Sequence, residues 1–320
     1  MPPRPRRRHG LGLLFVVAVV GAGGCAGEDA LSTLPDLVDD RPHFSGNSAL
    51  ALVDTQLAFG PRIPGTAGHA AQLEWMREWL EAAADSLEVQ EFTHTHSSTG
   101  EILALTNLLA RFRPETERRI LFLAHWDTRP TSDAADTPER RAIPVPGAND
   151  GASGTAVLLH VAEILGETAP DVGVDLLLVD GEDFGPTTAD MFLGARHFAR
   201  DIPVPRPVYG VLLDMVGDAT PYFPVEGFSA SLAPQIAQRV WNVAHALGYA
   251  PYFPLQPGQR ISDDHIPLNQ AGLATVNIID FDYGPGNAYW HTPEDDLENV
   301  RAETLGMVGE VVLELIYMGG

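Results

Sequence analysis

The sequence predicts a three-layer α/β/α sandwich with a mixed, mainly parallel central sheet. Apolar runs that suit buried strands recur along the chain, and segments with helical periodicity alternate with them. The 320 residues contain no internal repeat and no linker after residue 44, which favours one large domain.

The predicted elements follow the order helix, helix, three strands, helix, two strands, helix, strand, helix. Helices are expected at residues 47–59, 68–84, 152–165, 232–247 and 302–317. Strands are expected at residues 87–93, 102–111, 119–124, 174–179, 208–213 and 274–279. The run RILFLA at 119–124 is typical of a strand covered on both faces. Two long loops, 126–151 and 251–267, are rich in Pro, Gly and Asp, and such loops often carry function.

The first 24 residues have the features of a secretory signal. Four arginines precede an apolar run from Leu11 to Val20, which is shorter than the roughly 20 residues that cross a membrane. Small residues then precede Cys25, and this arrangement resembles the lipobox of bacterial lipoproteins. We therefore expect a lipid on Cys25 as the sole membrane attachment, with simple secretion as the alternative.

Export places the mature protein in the periplasm or outside the cell. Residues 25–43 are polar and acidic, with two prolines, and are expected to form a flexible tether. The single catalytic domain is expected to occupy residues 44–320.

Composition excludes several classes of chemistry. All 20 basic residues are arginine, so Schiff-base chemistry, pyridoxal phosphate anchoring and the P-loop lysine are excluded. Cys25 is the only cysteine, which excludes an internal disulfide and a multi-thiolate zinc site. With 43 acidic residues the chain lacks the basic surface that nucleic acid requires.

Polar side chains follow four of the predicted buried strands. The terminating segments are His125-Trp126-Asp127, Asp180-Gly181-Glu182-Asp183, Asp214-Met215 and Asp280-Phe281-Asp282. Ligands of open α/β sheets bind beyond the carboxyl ends of the strands, so these ends are expected to converge. Asp150, just before a predicted helix, and His291 are expected to join them.

Carboxylates gathered in this way repel one another unless a cation lies among them. Imidazole and carboxylate ligands without thiolates suit zinc, with manganese and cobalt as alternatives. Asp127 follows His125 at a spacing that allows it to orient the imidazole. The alternative interpretation is that ordinary turn chemistry follows each strand.

The order of these residues resembles the M28 family of zinc hydrolases. In its aminopeptidases five such residues hold two zinc ions. The resemblance implies the ligands His125, Asp150, Asp183, Asp214 and His291. It also implies that Asp150 bridges the ions and that Glu182 is the general base.

Longer stretches resemble a narrower group, the glutaminyl-peptide cyclotransferases. These stretches include residues 59–64, 124–130, 147–154, 262–267 and 290–292. This resemblance implies one zinc ion on Asp150, Asp183 and His291, with His125 and Asp214 as a second site if it is filled. Glu182 and Asp264 would move protons, and Trp290, Phe281 and His265 would form the substrate pocket. Residues 184–197 lack the pocket tryptophan of the animal cyclases.

The expected reaction is conversion of an N-terminal glutamine of a peptide or protein to pyroglutamate, with release of ammonia. Glu182 would take a proton from the α-amine and return it to the ammonia, while Asp264 would hydrogen-bond the amide nitrogen. The first alternative is a two-zinc aminopeptidase in which Glu182 activates water. The second is an inactive lipoprotein that binds peptides.

Overall fold

Six strands form one mixed sheet at the centre of the structure. The computed structural model describes residues 1–3 and 34–320, and Leu34–Gly320 is one unit. Cys25 and most of the predicted signal segment lie outside the described residues. The strands are β1 (Ser86–Thr95), β2 (Ile102–Phe112), β3 (Arg119–His125), β4 (Gly173–Val179), β5 (Gly210–Asp214) and β6 (Thr275–Ile279).

The spatial order of the strands is β1-β2-β4-β3-β5-β6. β2 is antiparallel to both β1 and β4, whereas β4, β3, β5 and β6 run parallel to one another. Every residue of these four parallel strands is buried, as expected where helices cover both faces of a sheet. The predicted mixed, mainly parallel sheet is confirmed.

Helices cover the two faces of this sheet. They are α1 (Gly46–Ala58), α2 (Ala67–Ala83), α3 (Pro138–Arg141), α4 (Ala152–Glu167), α5 (Leu193–Phe198), α6 (Gly227–Leu232), α7 (Pro234–Ala246), α8 (His265–Gln270) and α9 (Ala302–Tyr317). The larger apolar core joins α1, α4, α7 and α9 to the sheet, and a smaller one joins α5 and α8 to it. In the described part of the chain, no helix has the length and apolarity needed to span a membrane.

The helix predicted at 232–247 is confirmed as α7, which begins two residues later, at Pro234; the short helix α6, which precedes it, is absent from the predicted elements. Ala233 separates them with φ −137° and ψ 49°, outside the helical region. Pro234 is the cause: it lacks an N–H and disfavours helical geometry in the residue before it. The short helices α3, α5 and α8 have no more than six residues, too few for periodicity to reveal them.

The predicted flexible tether is too long at its carboxyl end. The backbone N–H of Val38 donates to Glu314 on α9 at 2.8 Å. The guanidinium of Arg41 pairs with Glu314 and, at 2.6 Å, with Glu310. These contacts fix residues 38–41 against α9, and residues 34–43 belong to the same compact unit as the rest of the fold.

The parallel strands direct their carboxyl ends to the same edge of the sheet. His125 is the last residue of β3, and Asp214 is the last residue of β5. The loops after β4 and β6 start at the same edge. The fold therefore assembles side chains from four strand ends around one cleft.

Candidate active site

Five of the predicted site residues form two clusters that share Asp150. The first, called the His125 cluster, contains His125, Asp150 and Asp214; the second, called the His291 cluster, contains Asp150, Asp183 and His291. Within each cluster the candidate ligand atoms lie within 4.8 Å of one another. All five residues are buried, and the donor set of imidazole and carboxylate fits zinc.

Asp150 offers a different carboxylate oxygen to each histidine. Its Oδ1 lies 3.1 Å from Nε2 of His125, and its Oδ2 lies 3.6 Å from Nε2 of His291. His125 Nε2 is also 3.2 Å from Asp214 Oδ1, and His291 Nε2 is 3.5 Å from Asp183 Oδ1. Asp150 therefore lies between the clusters, where a bridging carboxylate would be.

The turn that carries Asp150 is fixed from two sides. The carboxylate of Asp295 accepts the backbone N–H groups of Asn149 and Asp150 at 2.7 and 3.2 Å. Gly151 follows with φ +97°, and a Cβ there would lie 2.7 Å from the carbonyl oxygen of Asp127. Only glycine fits this close approach, so the backbone requires glycine at position 151.

Asp127 supports the loop after β4 and does not orient His125 as expected. Its Oδ1 is 3.7 Å from Nδ1 of His125, which is too long for a hydrogen bond. Its two oxygens instead accept the backbone N–H groups of Glu182 and Asp183 at 3.0 and 3.1 Å. The Nδ1 atom of His125 makes no hydrogen bond within residues 34–320.

His291 lies in the loop after β6 and has several supporting contacts. Its Nδ1 donates to Asp133 Oδ1 at 3.0 Å, and the indole of Trp290 stacks on its ring at a centroid distance of 3.8 Å. Its backbone has φ +53°, a left-handed conformation that costs about 1–3 kcal/mol in a residue other than glycine. Such strain persists only where the surroundings hold the residue.

Glu182 and Asp264 are buried carboxyl groups with raised pKa values. Burial raises the pKa of Glu182 well above its usual value. The negative charges of Asp183, Asp263 and Asp264 add to this effect, and His125 opposes it. Burial and the charge of Asp263 likewise raise the pKa of Asp264. Carboxyl groups with raised pKa values can act as proton donors as well as acceptors.

Asp264 lies beneath the surface of the cleft. Its side chain is fully buried, and neither carboxylate oxygen has a hydrogen-bond partner among the described residues. The expected direct contact with a substrate amide is therefore not available in this conformation. Asp263 fixes the segment: one of its oxygens accepts the N–H of Asp264, and the other accepts the side-chain amide of Asn277, both at 2.6 Å.

The predicted pocket residues differ in their placement. The half-buried rings of Phe281 and Trp290 lie 5.1 Å apart and pack with Ile261. Phe281 and Ile261 also line a neighbouring cavity of about 470 Å³. The predicted pocket position of His265 is corrected, because the residue is fully buried and its Nε2 lies 3.1 Å from Glu226 Oε2. It presents no surface to a substrate.

Asp180 and Asp280, two acids of the predicted strand ends, stabilise the fold and lie outside the clusters. Asp180 lies 3.0 Å from His69 and accepts the N–H of Thr106, so it serves the interior of the fold. Asp280 accepts the backbone N–H groups of Tyr222 and Asp282. For these two residues, ordinary turn and packing chemistry is the better interpretation.

The site also contains residues that the sequence analysis did not identify. Arg129 contacts Asp183, Asp133 contacts His291, and Asp295 supports Asp150. Arg129 belongs to the stretch His-Trp-Asp-Thr-Arg-Pro, but that stretch alone assigns it no role. No local signal distinguishes Asp133 or Asp295 from the other loop acids.

Comparison with known proteins identifies the family. The sequence model of peptidase family M28 matches residues 107–316. The chain belongs to peptidase family M28. This confirms the resemblance found in the order of the site residues.

Sequence relatives in this family include both enzyme types. The aminopeptidase YwaD of Bacillus subtilis is 28% identical over 203 residues, which cover 61% of this chain and only 39% of that protein. The glutaminyl-peptide cyclotransferase of Drosophila melanogaster is 27% identical over 265 residues, which cover 74% of this chain and 71% of that protein.

Solved structures match over nearly their full length. The glutaminyl cyclase of Bacteroides thetaiotaomicron, bound to N-acetylhistamine, has 34% identity and a TM-score of 0.83, covering 87% of this chain and 99% of that one. A Zn-dependent exopeptidase of Parabacteroides distasonis has 37% identity and a TM-score of 0.83, covering 86% and 99%. The fold is therefore that of this group of M28 proteins.

Proposed function

We propose that the protein is a zinc-dependent glutaminyl-peptide cyclotransferase that converts the N-terminal glutamine of peptides or proteins to pyroglutamate. In this reaction the α-amine attacks the side-chain amide carbon, a C–N bond forms, and ammonia leaves. Similarity to the solved glutaminyl cyclase over almost its full length supports the proposal. When bound, zinc would polarise the side-chain carbonyl of the glutamine.

Glu182 is the residue that exchanges protons with the substrate. It borders the cleft with 8% of its surface exposed, and its raised pKa allows it to take a proton and to release it again. It accepts the proton lost by the attacking amine and returns it to the departing ammonia. The negative charge of buried Asp264 helps to raise the pKa of Glu182.

The hydrogen bond on the outer nitrogen of His291 is the observation that carries the proposal. Histidine ligands almost always use their second ring nitrogen to bond an outer group, which fixes the ring. His291 Nδ1 hydrogen-bonds Asp133 at 3.0 Å, whereas His125 Nδ1 makes no hydrogen bond in the described chain, and its nearest carboxylate oxygen, on Asp127, lies 3.7 Å away. We therefore assign one zinc ion to Asp150, Asp183 and His291.

The second candidate function is a two-zinc aminopeptidase. It is favoured by the complete His125 cluster and by the similarity to YwaD. There Glu182 would activate a water molecule for attack on the peptide carbonyl. The two functions share a base and differ in nucleophile and in metal count.

Mass spectrometry on two peptides tests the proposal. The purified, zinc-loaded protein is incubated with a glutamine-initiated peptide and a leucine-initiated peptide of otherwise identical sequence. Loss of ammonia from the glutamine peptide alone is the expected result. Release of free leucine or free glutamine would identify the aminopeptidase, and no change in either peptide would contradict both functions.

Export remains part of the proposal and rests on the sequence alone. The basic start, the short apolar run and the small residues before Cys25 support cleavage before Cys25 and lipid attachment to it. The mass of the mature amino-terminal fragment from a bacterial host tests this. A fragment with unmodified Cys25 would leave secretion without an anchor.

A further inference from the structure

Arg129 links two acidic residues at the edge of the His291 cluster. It lies in the loop after β3 and is 5% exposed. Its Nε and Nη2 atoms donate to the two oxygens of Asp133 at 3.0 and 3.1 Å. Its Nη1 atom donates to Oδ1 of Asp183 and to the backbone oxygen of Asp183.

Asp133 continues this link to the other side of the cluster. The oxygen that accepts from Arg129 Nε also accepts from His291 Nδ1 at 3.0 Å. The contacts therefore form a chain from His291 through Asp133 and Arg129 to Asp183. Both ends of the chain are candidate ligands of the same metal ion.

The backbone around Asp133 is held independently of these side chains. The N–H of Ala134 donates to the carbonyl oxygen of His291, and the N–H of Val145 donates to that of Arg129. Ser132 bonds Ile143 in the same loop. The carboxylate of Asp133 thus projects from a fixed support, which is needed if it is to orient an imidazole.

Both ends of the chain of contacts need such support. His291 lies in a loop with left-handed backbone geometry, so no strand fixes its ring. A hydrogen bond to Nδ1 leaves the lone pair on Nε2 directed at Asp150 and Asp183. The planar guanidinium of Arg129 holds two carboxylates at once, which the point charge of lysine does not do.

We propose that Arg129 and Asp133 are positioning residues that hold His291 and Asp183 in the geometry required for zinc. This inference rests on the proposed zinc site and extends it to two residues outside the ligand set. Neither residue belongs to the His291 cluster. Substitution of either residue is expected to lower the affinity for zinc, and turnover is expected to fall as a consequence.

Zinc affinity of four variants tests the inference. The Kd is measured on the full chain by competition with a chromophoric chelator, and thermal unfolding of the zinc-free proteins checks folding. Asp133→Ala and Arg129→Lys are expected to weaken zinc binding by about 10- to 100-fold, as is typical for groups behind metal ligands. Asp133 is 40% exposed, so its truncation removes little packing.

The chain offers a matched control in the same loop. Arg140 and Asp136 form another arginine–aspartate pair at a spacing of four residues, with a distance of 2.8 Å. Neither residue belongs to a cluster, and Arg140 also pairs with Glu294. Asp136→Ala and Arg140→Lys are expected to keep the zinc Kd within about twofold. Equal Kd values in the Asp133 and Asp136 variants would overturn the inference.

The Arg129→Lys variant keeps the positive charge and removes the planar guanidinium, so its zinc Kd shows which of the two matters. If Arg129→Lys binds zinc as tightly as the wild type does, the bridge between the two carboxylates is not needed and the inference fails. A tighter Kd in that variant would also contradict it. Because the wild-type protein is assayed for cyclisation separately, absence of that activity would refute the proposed function without deciding the role of Arg129.

Discussion

The two metal clusters have similar ligands and different surroundings. The His125 cluster is built at the ends of two strands, and its histidine has no hydrogen bond on its outer nitrogen within the described chain. The three members of the His291 cluster all lie in loops, and Asp133 and Arg129 contact two of them from outside. Ligand identity alone therefore does not distinguish one metal position from two.

The difference follows from how the fold places each histidine. The backbone of His125 is fixed by β3 and by Thr155, whose hydroxyl donates to its carbonyl oxygen at 2.8 Å. That support positions the residue without fixing the tautomer of its ring. The loop position of His291 requires contacts with its side chain, and those contacts fix the tautomer as well.

Removal of His291 is expected to have the largest effect. His291→Ala deletes a ligand atom, so zinc binding should weaken by more than the roughly 100-fold that marks the upper range for outer groups. Turnover should fall below detection. Atomic emission measurement of zinc per chain after dialysis checks this. One retained zinc per chain would show that the His125 cluster is the principal metal position.

Glu182→Gln is expected to have the next largest effect. This effect is expected on turnover and not on zinc binding. The amide keeps the size of the side chain and cannot accept a proton, so kcat should fall by about 100- to 10,000-fold. Zinc content should stay at the wild-type level, because Glu182 belongs to neither cluster. Steady-state kinetics and metal analysis on one preparation check both statements. A loss of less than tenfold would exclude Glu182 as the base.

Zinc removal is expected to destabilise the protein by an amount that reports the number of ions. One site at a free zinc concentration of 100 times Kd contributes about 2.7 kcal/mol to the free energy of unfolding. Urea unfolding with and without a chelator measures this contribution. The zinc-dependent part should disappear in His291→Ala. A contribution twice as large in the wild type would indicate two filled positions.

Local sequence patterns predicted most of the fold and five clustered residues. A buried strand followed by a histidine or an acid is visible in the sequence, and parallel strands bring such ends together. Asp180 fits the same pattern but does not join the clusters. It contacts His69, 111 residues away in the sequence, in the interior of the fold. Pro234 is a visible signal for the break between α6 and α7.

The supports of the site were not predictable from local patterns. Asp133 and His291 are 158 residues apart, and Asp295 is 145 residues from Asp150. Each support is an ordinary loop aspartate whose partner is set by packing of distant segments. The burial of His265 and Asp264 depends in the same way on how α8 packs against the sheet.

The smallest effect is expected for Asp214→Asn, with Asp183→Asn as its matched control. Both variants change a carboxylate to an amide of the same shape, one in each cluster. Asp214 lies against His125 and outside the His291 cluster, so its replacement should weaken zinc binding by less than about fivefold, equivalent to about 1 kcal/mol.

Asp183→Asn removes a charged ligand of the His291 cluster and should release most of the zinc. The Kd values of the two variants, measured under one buffer condition, are compared directly. If both variants lose zinc to the same degree, the contrast between the clusters does not govern metal binding. The two-zinc aminopeptidase would then be the better interpretation of the complete His125 cluster.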